Sequence, residues 1–264
     1  MTAPFVDIHC HILPGIDDGA KDWEQSLAMA RLAVEDGTLT IVATPHQLGT
    51  YSENHGDQIR LLTAELQEKL EGADVPLSVL AGAEIRVETG FVERLANGEL
   101  LTLGDHHRHV LLELPHELYL PLEPVLDELA QRRLVGVLAH PERNRGLLRQ
   151  PNLIEALVDA GCLMQITAGS LCGTLGPDPQ QLAEWMIERR LVHLVATDAH
   201  GPRSRRPLLG RAYEQLCEIA DEQTAADLCI HYPTDVATGR VVPAGRRAER
   251  PRQRTGWWAR RASA

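Results

Sequence analysis

Six times along this chain an apolar run stops on an imidazole or a carboxylate. Phe5-Val6-Asp7-Ile8 leads into His9 and His11, Thr40-Ile41-Val42-Ala43-Thr44-Pro45 into His46, and Val79-Leu80-Ala81-Gly82-Ala83 into Glu84. Val110-Leu111-Leu112 leads into Glu113, Val135-Gly136-Val137-Leu138-Ala139 into His140, and His193-Leu194-Val195-Ala196-Thr197 into Asp198 and His200. One such ending is ordinary. A series of them is not, because parallel strands arranged around a barrel bring their C-terminal ends to a common mouth. Imidazoles and carboxylates converging there are the ligands that divalent metals take.

The intervening segments support that topology. Short apolar runs alternate with stretches of helical period, which is the pattern of βαβ units. Strands are expected near 5–10, 40–45, 77–84, 109–114, 135–140, 163–168 and 193–198. Helices are expected over 22–36, 53–71, 121–133, 151–160, 178–190 and 205–220. Asp22 is a candidate N-cap with Gln25 three residues on, and Gly37 and Gly161 stand where helices should close. The unit count is about seven, one short of the usual eight. The expected fold is therefore an α/β, distorted TIM-like (β/α)7 barrel with its site at the C-terminal ends of the strands. It should occupy residues 1–236. From about 237 to 264 periodicity stops, and Pro243, Gly245, Pro251 and repeated arginines read as a basic, disordered tail.

A chain of 264 residues and 29.2 kDa suits one such domain. No apolar stretch approaches the roughly 20 residues of a membrane span, and the first residues carry no secretory pattern. The five cysteines are odd in number and irregularly spaced, which argues against a disulfide framework and for the cytoplasm. Charge is unevenly placed. Eight arginines from 240 to 261 face only Glu249, so that tail is +7 and the body carries −18 of the net −11. So acidic a body is a poor general binder of nucleic acid, whose affinity rests on neutralising phosphates.

His9 and His11 lie two apart on a strand and so share a face, leaving Cys10 to point into the core. Asp198 and His200 repeat that spacing. Asp17-Asp18-Gly19 follows the first strand; one aspartate can reach the mouth, or the pair can simply make a turn. Taking Asp17 from that pair, the candidate ligands are His9, His11, Asp17, His46, Glu84, Glu113, His140, Asp198 and His200. That many exceed the three or four protein ligands of a mononuclear site and suit two or three ions. Mixed imidazole and carboxylate favours Mn, Fe or Zn over Mg or Ca.

Other hydrolase plans fail on the same string. A cysteine-dependent phosphatase needs Arg six residues after its Cys, but the five cysteines are followed there by Ile16, Ala168, Asp178, Gln223 and Asp235. Amidohydrolase barrels commonly bridge their metals with a carboxylated lysine, and the only lysines here, Lys21 and Lys69, lie in or beside helices. Neither a Gly-x-Ser-x-Gly elbow nor a P-loop is present.

With these residues set out, the chain resembles the polymerase and histidinol phosphatase (PHP) superfamily. Within it, the chain is similar to the bacterial manganese-dependent protein tyrosine phosphatases of the capsule and exopolysaccharide type. The resemblance is carried by Asp7-Ile8-His9-Cys10-His11-Ile12-Leu13-Pro14-Gly15-Ile16-Asp17-Asp18-Gly19, Ala43-Thr44-Pro45-His46 and Gly82-Ala83-Glu84. Leu112-Glu113-Leu114-Pro115, Ala139-His140-Pro141-Glu142-Arg143 and Thr197-Asp198-Ala199-His200 follow in order. It covers about residues 5–233. The resemblance implies three divalent ions, manganese foremost. His9, His11, Glu84 and Asp198 would hold one, Glu113, His140 and Glu84 a second, and Asp17, His46 and His200 a third. It also implies two phosphate-binding arginines, Arg143 and either Arg205 or Arg206.

The implied chemistry is direct hydrolysis of a phosphomonoester by a metal-activated water, without a phosphoenzyme. The implied substrate is a phosphotyrosine protein, the tyrosine-rich tail of a membrane-anchored autokinase in polysaccharide export. That would put the enzyme in the cytoplasm, beside the inner face of the plasma membrane. The +7 tail, with Trp257 and Trp258, suits weak contact with an anionic leaflet; a solubilising extension is the alternative. Two other readings stay in view: a small-molecule phosphatase such as histidinol phosphatase on the same fold, and a catalytically silent metal-binding regulatory module. Turnover of phosphotyrosine peptide against histidinol phosphate separates the first pair. Missing ligands would mark the module.

Overall fold

The computed structural model describes residues 3–247. Its strands are β1 (Phe5–Cys10), β2 (Thr38–Ala43), β3 (His46–Gln47), β4 (Ser78–Ala81), β5 (Glu84–Arg86), β6 (His109–Glu113), β7 (Val135–Ala139), β8 (Leu163–Thr167) and β9 (Leu194–Ala196). Every ladder between them is parallel. They form an α/β architecture of two sheets, β1-β2-β4 and β3-β5-β6-β7-β8-β9. Parallel strands covered on both faces read as continuous apolar runs, and β8 and β9 are buried at every position.

Two expected strands are broken, each for a local reason. The run at 40–45 ends as β2 and resumes as β3 after Thr44-Pro45, since Pro45 has no amide to give to a ladder. Its carbonyl instead accepts from the Glu84 amide at 3.1 Å. The run at 77–84 splits into β4 and β5 around Gly82-Ala83. A Cβ on Gly82 would lie 2.7 Å from Val42 Cγ1, so close approach of these strands requires glycine there. At each break the chain passes from the first sheet into the second. On the other side, the Asp198 amide donates to His9 O and the His11 amide to Ala199 O, both at 2.8 Å.

The long helices follow the periodicity. Trp23–Glu35 starts at Asp22, whose carboxylate accepts from the Gln25 amide at 2.9 Å. Gly56–Gly72, Glu123–Gln131, Asn152–Asp159 and Pro177–Glu188 lie close to their expected ranges. The last expected helix begins later, as Gly210–Ile219, because residues 201–209 form a loop instead. Asp36 Oδ2 then accepts from the amides of Leu209 and Gly210, so a carboxylate from a distant helix end meets this helix N-terminus. Short helices at Phe91–Ala96, Arg145–Arg149 and Ala168–Leu171 are too brief to show a period in sequence.

Beyond Ala237 the chain still contacts the body. Val242 is buried, Arg247 donates through its amide to Arg190 O and through Nε to Val192 O, and His193 Nε2 donates to Gly245 O at 2.9 Å. Trp257, Trp258 and most of the basic tail lie outside the described residues. Among the described residues no helix is long and apolar enough to cross a membrane.

Candidate metal centre

The register of the sheets assembles the mouth. His46 on β3 stands beside Glu84 on β5, and Arg86 on β5 beside Glu113 on β6. Following β7 and β9, His140 and Asp198 take left-handed backbone, with φ of 34° and 50°. Such conformations are costly for non-glycine residues and concentrate at functional sites. Here they turn both side chains inward at the strand ends.

Glu84 is the hub. Only 1% exposed, it places Oε2 3.1 Å from His46 Nδ1, 3.3 Å from His9 Nε2 and 3.5 Å from His11 Nε2, and Oε1 2.9 Å from His140 Nε2. Although so surrounded, Oε2 has no hydrogen-bond partner. Burial pushes the Glu84 carboxyl up, but His9, His11, His140 and His46 outweigh it and hold the group well below the usual carboxylate range. Asp198 is also buried, its Oδ1 3.3 Å from His9 Nε2 and 3.4 Å from His11 Nε2. Oδ2 accepts from both Arg143 and Arg205.

The tautomers follow from the outer partners. Gln165 Nε2 donates to Ile166 O, which leaves its Oε1 to accept from His9 Nδ1 at 2.8 Å. His11 Nδ1 donates to Asp17 Oδ2 at 2.8 Å, and His200 Nδ1 to the Asp198 carbonyl at 3.0 Å. A neutral imidazole with its hydrogen on Nδ1 presents Nε2 as a lone pair. The Nε2 atoms of His9 and His11 face each other at 3.2 Å, with Glu84 Oε2 and Asp198 Oδ1 around them. Four acceptors turned on one point repel unless positive charge sits between them. Burial pushes the His9 imidazole down, but Glu84 and Asp198 push it up further; Asp17 does the same for His11. A proton answers one such contact, a divalent cation all of them. The donor set fits a metal, and outer partners on the far nitrogen are the usual accompaniment of metal-binding histidine.

Asp17 and Asp18 exchange the roles expected of them. Asp17 is turned away from the mouth and accepts from His11 Nδ1, the His46 amide (3.1 Å) and the Gly19 amide (2.9 Å). Asp18 faces the cluster, with Oδ1 3.4 Å from both His46 Nε2 and His200 Nε2. Both His46, raised to about 10 against the pull of its burial, and the lowered Asp18 carboxyl reflect this contact. The first turn of the loop is decided by packing: a side chain on Gly19 would strike His11 O at 2.2 Å. The other expected ligands come together in overlapping groups: His9, His11 and Glu84; His9, His140 and Asp198; His46, Glu84 and Glu113; and His11, His46 and His200 with Asp18.

Arg143 ends a 3-10 turn, Pro141–Arg143, that Glu142 anchors by accepting from the Thr167 amide. Of the two later arginines, Arg205 joins Arg143 on Asp198, its carbonyl closing a loop by accepting from the His200 amide at 2.9 Å. Arg206 is exposed, and the two arginines paired with Asp198 are Arg143 and Arg205. Sequence reasoning took Asp17 rather than Asp18 from the aspartate pair, and did not single out Gln165 or Asn54. Asn54 Nδ2 donates to Ile16 O and His46 O, tying the aspartate loop to β3. Gln165 leaves a trace in sequence, as a lone amide inside the apolar run of β8. Asn54 leaves none.

A parallel α/β fold whose strand ends carry a buried cluster of imidazoles and carboxylates defines a metal-dependent hydrolase class. Residues 5–238 match the family described as capsular polysaccharide synthesis, CpsB/CapC, and the chain belongs to that family. It is 40% identical to the tyrosine-protein phosphatase YwqE of Bacillus subtilis (strain 168) over 202 residues, 76% of this chain and 79% of that one. Identity to the tyrosine-protein phosphatase CpsB of Streptococcus pneumoniae is 28% over 243 residues, 90% of this chain and all of the relative. A solved structure from a study of YwqE and CpsB as metal-dependent tyrosine phosphatases superposes with a TM-score of 0.86 at 34% identity, covering 93% of this chain and 100% of that one.

Proposed function

We propose that this chain is a metal-dependent protein tyrosine phosphatase that holds three divalent ions, manganese foremost, at the mouth of a seven-unit barrel. The barrel reading rests on β2 running into β3, β4 into β5, and the Cys10–Ala199 bridge between β1 and the segment after β9. One observation carries the metal reading: the facing lone pairs of His9 and His11 between the buried carboxylates of Glu84 and Asp198. Those four residues would hold the first ion, Glu84, Glu113 and His140 the second, and Asp18, His46 and His200 the third, with Asp18 taking the place first given to Asp17. When bound, such ions make water acidic enough to act as a nucleophile near neutral pH and neutralise charge on the phosphoryl oxygens.

The chain's own groups do the rest. Asp198 fans Arg143 and Arg205 out from one carboxylate oxygen, so both guanidinium groups border the place where a phosphate would sit. Their planar forks can grip phosphoryl oxygens while Asp198 limits their freedom. The thiol between the two histidines does not compete for the nucleophile's role: Cys10 is fully buried, and burial with the charge of Asp7 pushes it well above the ordinary thiol range. The substrate we propose is a phosphotyrosine protein, the tail of a membrane-anchored autokinase, met in the cytoplasm. The test is turnover of a phosphotyrosine peptide and of histidinol phosphate, before and after chelation and with added Mn. We expect peptide turnover to vanish with chelator, return with Mn and survive iodoacetamide. Activity untouched by chelation, or lost on alkylation with metals retained, would overturn the proposal; preference for histidinol phosphate would move it to the small-molecule class.

A further inference from the structure

We infer that the loop after β3 builds a subsite for the aryl ring of the leaving tyrosine, with Tyr51 and Arg86 as its walls. This rests on the phosphotyrosine reading above and adds where the ring goes. A cavity of about 190 Å³ opens beside the metal cluster, bordered by His46, Leu48, Tyr51, Arg86 and Glu113. Ligand pockets for drug-sized molecules are about 300–1,000 Å³; this one suits a single ring and not a length of peptide. Because His46 and Glu113 belong to both cavity and cluster, a ring lodged there would direct its phosphate at the metals.

The walls are aromatic and cationic. The Tyr51 ring lies on His46 in a near-parallel stack, 5.3 Å between centroids and 9° between planes, and the half-buried ring also lines the cavity, where a further ring can meet it. Opposite, Arg86 is held by Glu113 Oε2 at 3.4 Å. An aryl group is attracted both by a stacked phenol and by a guanidinium. The alkyl stem of phosphoserine gains neither, and would have to draw its peptide backbone into the mouth.

The loop is built to hold this arrangement. The Tyr51 amide donates to Leu48 O at 3.0 Å, closing a turn in which Leu48 takes φ of 73°. Left-handed leucine is a strained choice that the surroundings must enforce. Gly49, φ 55°, leaves room for Arg86, whose Cγ would lie 3.4 Å from a Cβ at that position. Below, the buried Gln47 amide donates to Asn54 O and accepts from the Leu101 amide, fixing the base of the loop. Tyr51 meets the cluster only through its ring on His46: none of the expected metal ligands takes a hydrogen bond from its hydroxyl, which is why metal content is measured beside turnover in the test.

The test uses the full chain loaded with Mn, as wild type, Tyr51→Phe and Tyr51→Ala. Turnover is measured on a phosphotyrosyl peptide and on its phosphoseryl counterpart, with metal content by elemental analysis. Phenylphosphonate and methylphosphonate serve as competing ligands. We expect Tyr51→Phe to match wild type. Tyr51→Ala should lose about tenfold in kcat/KM on the phosphotyrosyl peptide, mainly through KM. Its slow phosphoseryl turnover and metal content should not change, and phenylphosphonate alone should compete more weakly. Equal losses on both peptides, or loss of metal in Tyr51→Ala, would overturn the assignment. The wild type provides a check independent of any variant: phenylphosphonate competing no better than methylphosphonate overturns it as well. Absence of phosphotyrosyl turnover in the wild type would instead sink the functional reading.

Discussion

Replacing Asp17 and Asp18 one at a time tests the proposal that Asp17 orients a metal ligand and Asp18 is one. The Asp17 side chain is buried and accepts from the His11 ring, the His46 amide and the Gly19 amide. Asp17→Ala orphans three donors. A buried donor without a partner costs about 1–3 kcal/mol, and water entering the gap will satisfy some, so the expected loss is about 3–5 kcal/mol. In a domain of this size each kcal/mol moves Tm by about 2–4 °C, which puts the metal-stripped variant about 10 °C below wild type. Asp18 is half exposed, with its carboxylate aimed at His46 and His200. Asp18→Ala should leave that Tm almost unchanged while removing an ion and at least about a hundredfold of turnover, beyond what loss of an outer partner costs. Calorimetry of stripped protein, elemental analysis of reloaded protein and a phosphotyrosine peptide assay read all three quantities. The reasoning is refuted if Asp17→Ala melts like wild type and fails to load, while Asp18→Ala loads fully.

Arg143→Ala and Arg205→Ala should retain metal yet lose about a hundredfold or more in kcat/KM, whereas Arg206→Ala should behave as wild type; stripping of metal by Arg143→Ala would end its role as a phosphate binder. Gln165→Leu should fold and lose about 10–100-fold in metal affinity, read by titration with Mn, because His9 then lacks its outer partner. His193 is held neutral, its pKa lowered to about 4, mainly by burial, while its Nδ1 accepts from the Met164 amide. A folded pKa below the unfolded 6.5 means that stability falls as pH drops from about 6.5 towards 4, by roughly 3 kcal/mol in all; urea unfolding should show this slope flattened in His193→Gln. Truncation after Ala237 should lower the body's stability by removing the contacts of Val242 and Arg247, and sedimentation with anionic liposomes at two salt concentrations tests any role of residues 248–264 at a membrane.

Strands were legible where a ligand residue ends an uninterrupted apolar run, as at β1, β6, β7 and β9. They were misread at 40–45 and 77–84, where one run hides a break. Pro45 and Gly82 were visible there, but that a backbone from the neighbouring strand comes so close was not. The candidate ligands could be read because their residue types are rare at strand ends. The choice between Asp17 and Asp18 could not, since it depends on which carboxylate the loop turns towards His11, and that is set by Gly19 packing on the His11 backbone. Arg205 and Arg206 posed the same difficulty: adjacent in sequence, they diverge because a backbone bond from His200 and a φ of 48° return only Arg205 to the mouth.

The acceptors gathered around His9 and His11 come from segments as distant as residues 9 and 198. In the unfolded chain nothing brings those segments together, so an ion bound there acts as a cross-link over nearly the whole domain. Its affinity adds to folding free energy, growing with the logarithm of free metal. Protein depleted of metal should melt earlier and open first at the seam where the Asp198 and His11 amides join the two ends of the fold. Scarcity of the ion would then limit how much of the protein persists, as well as how fast each molecule works.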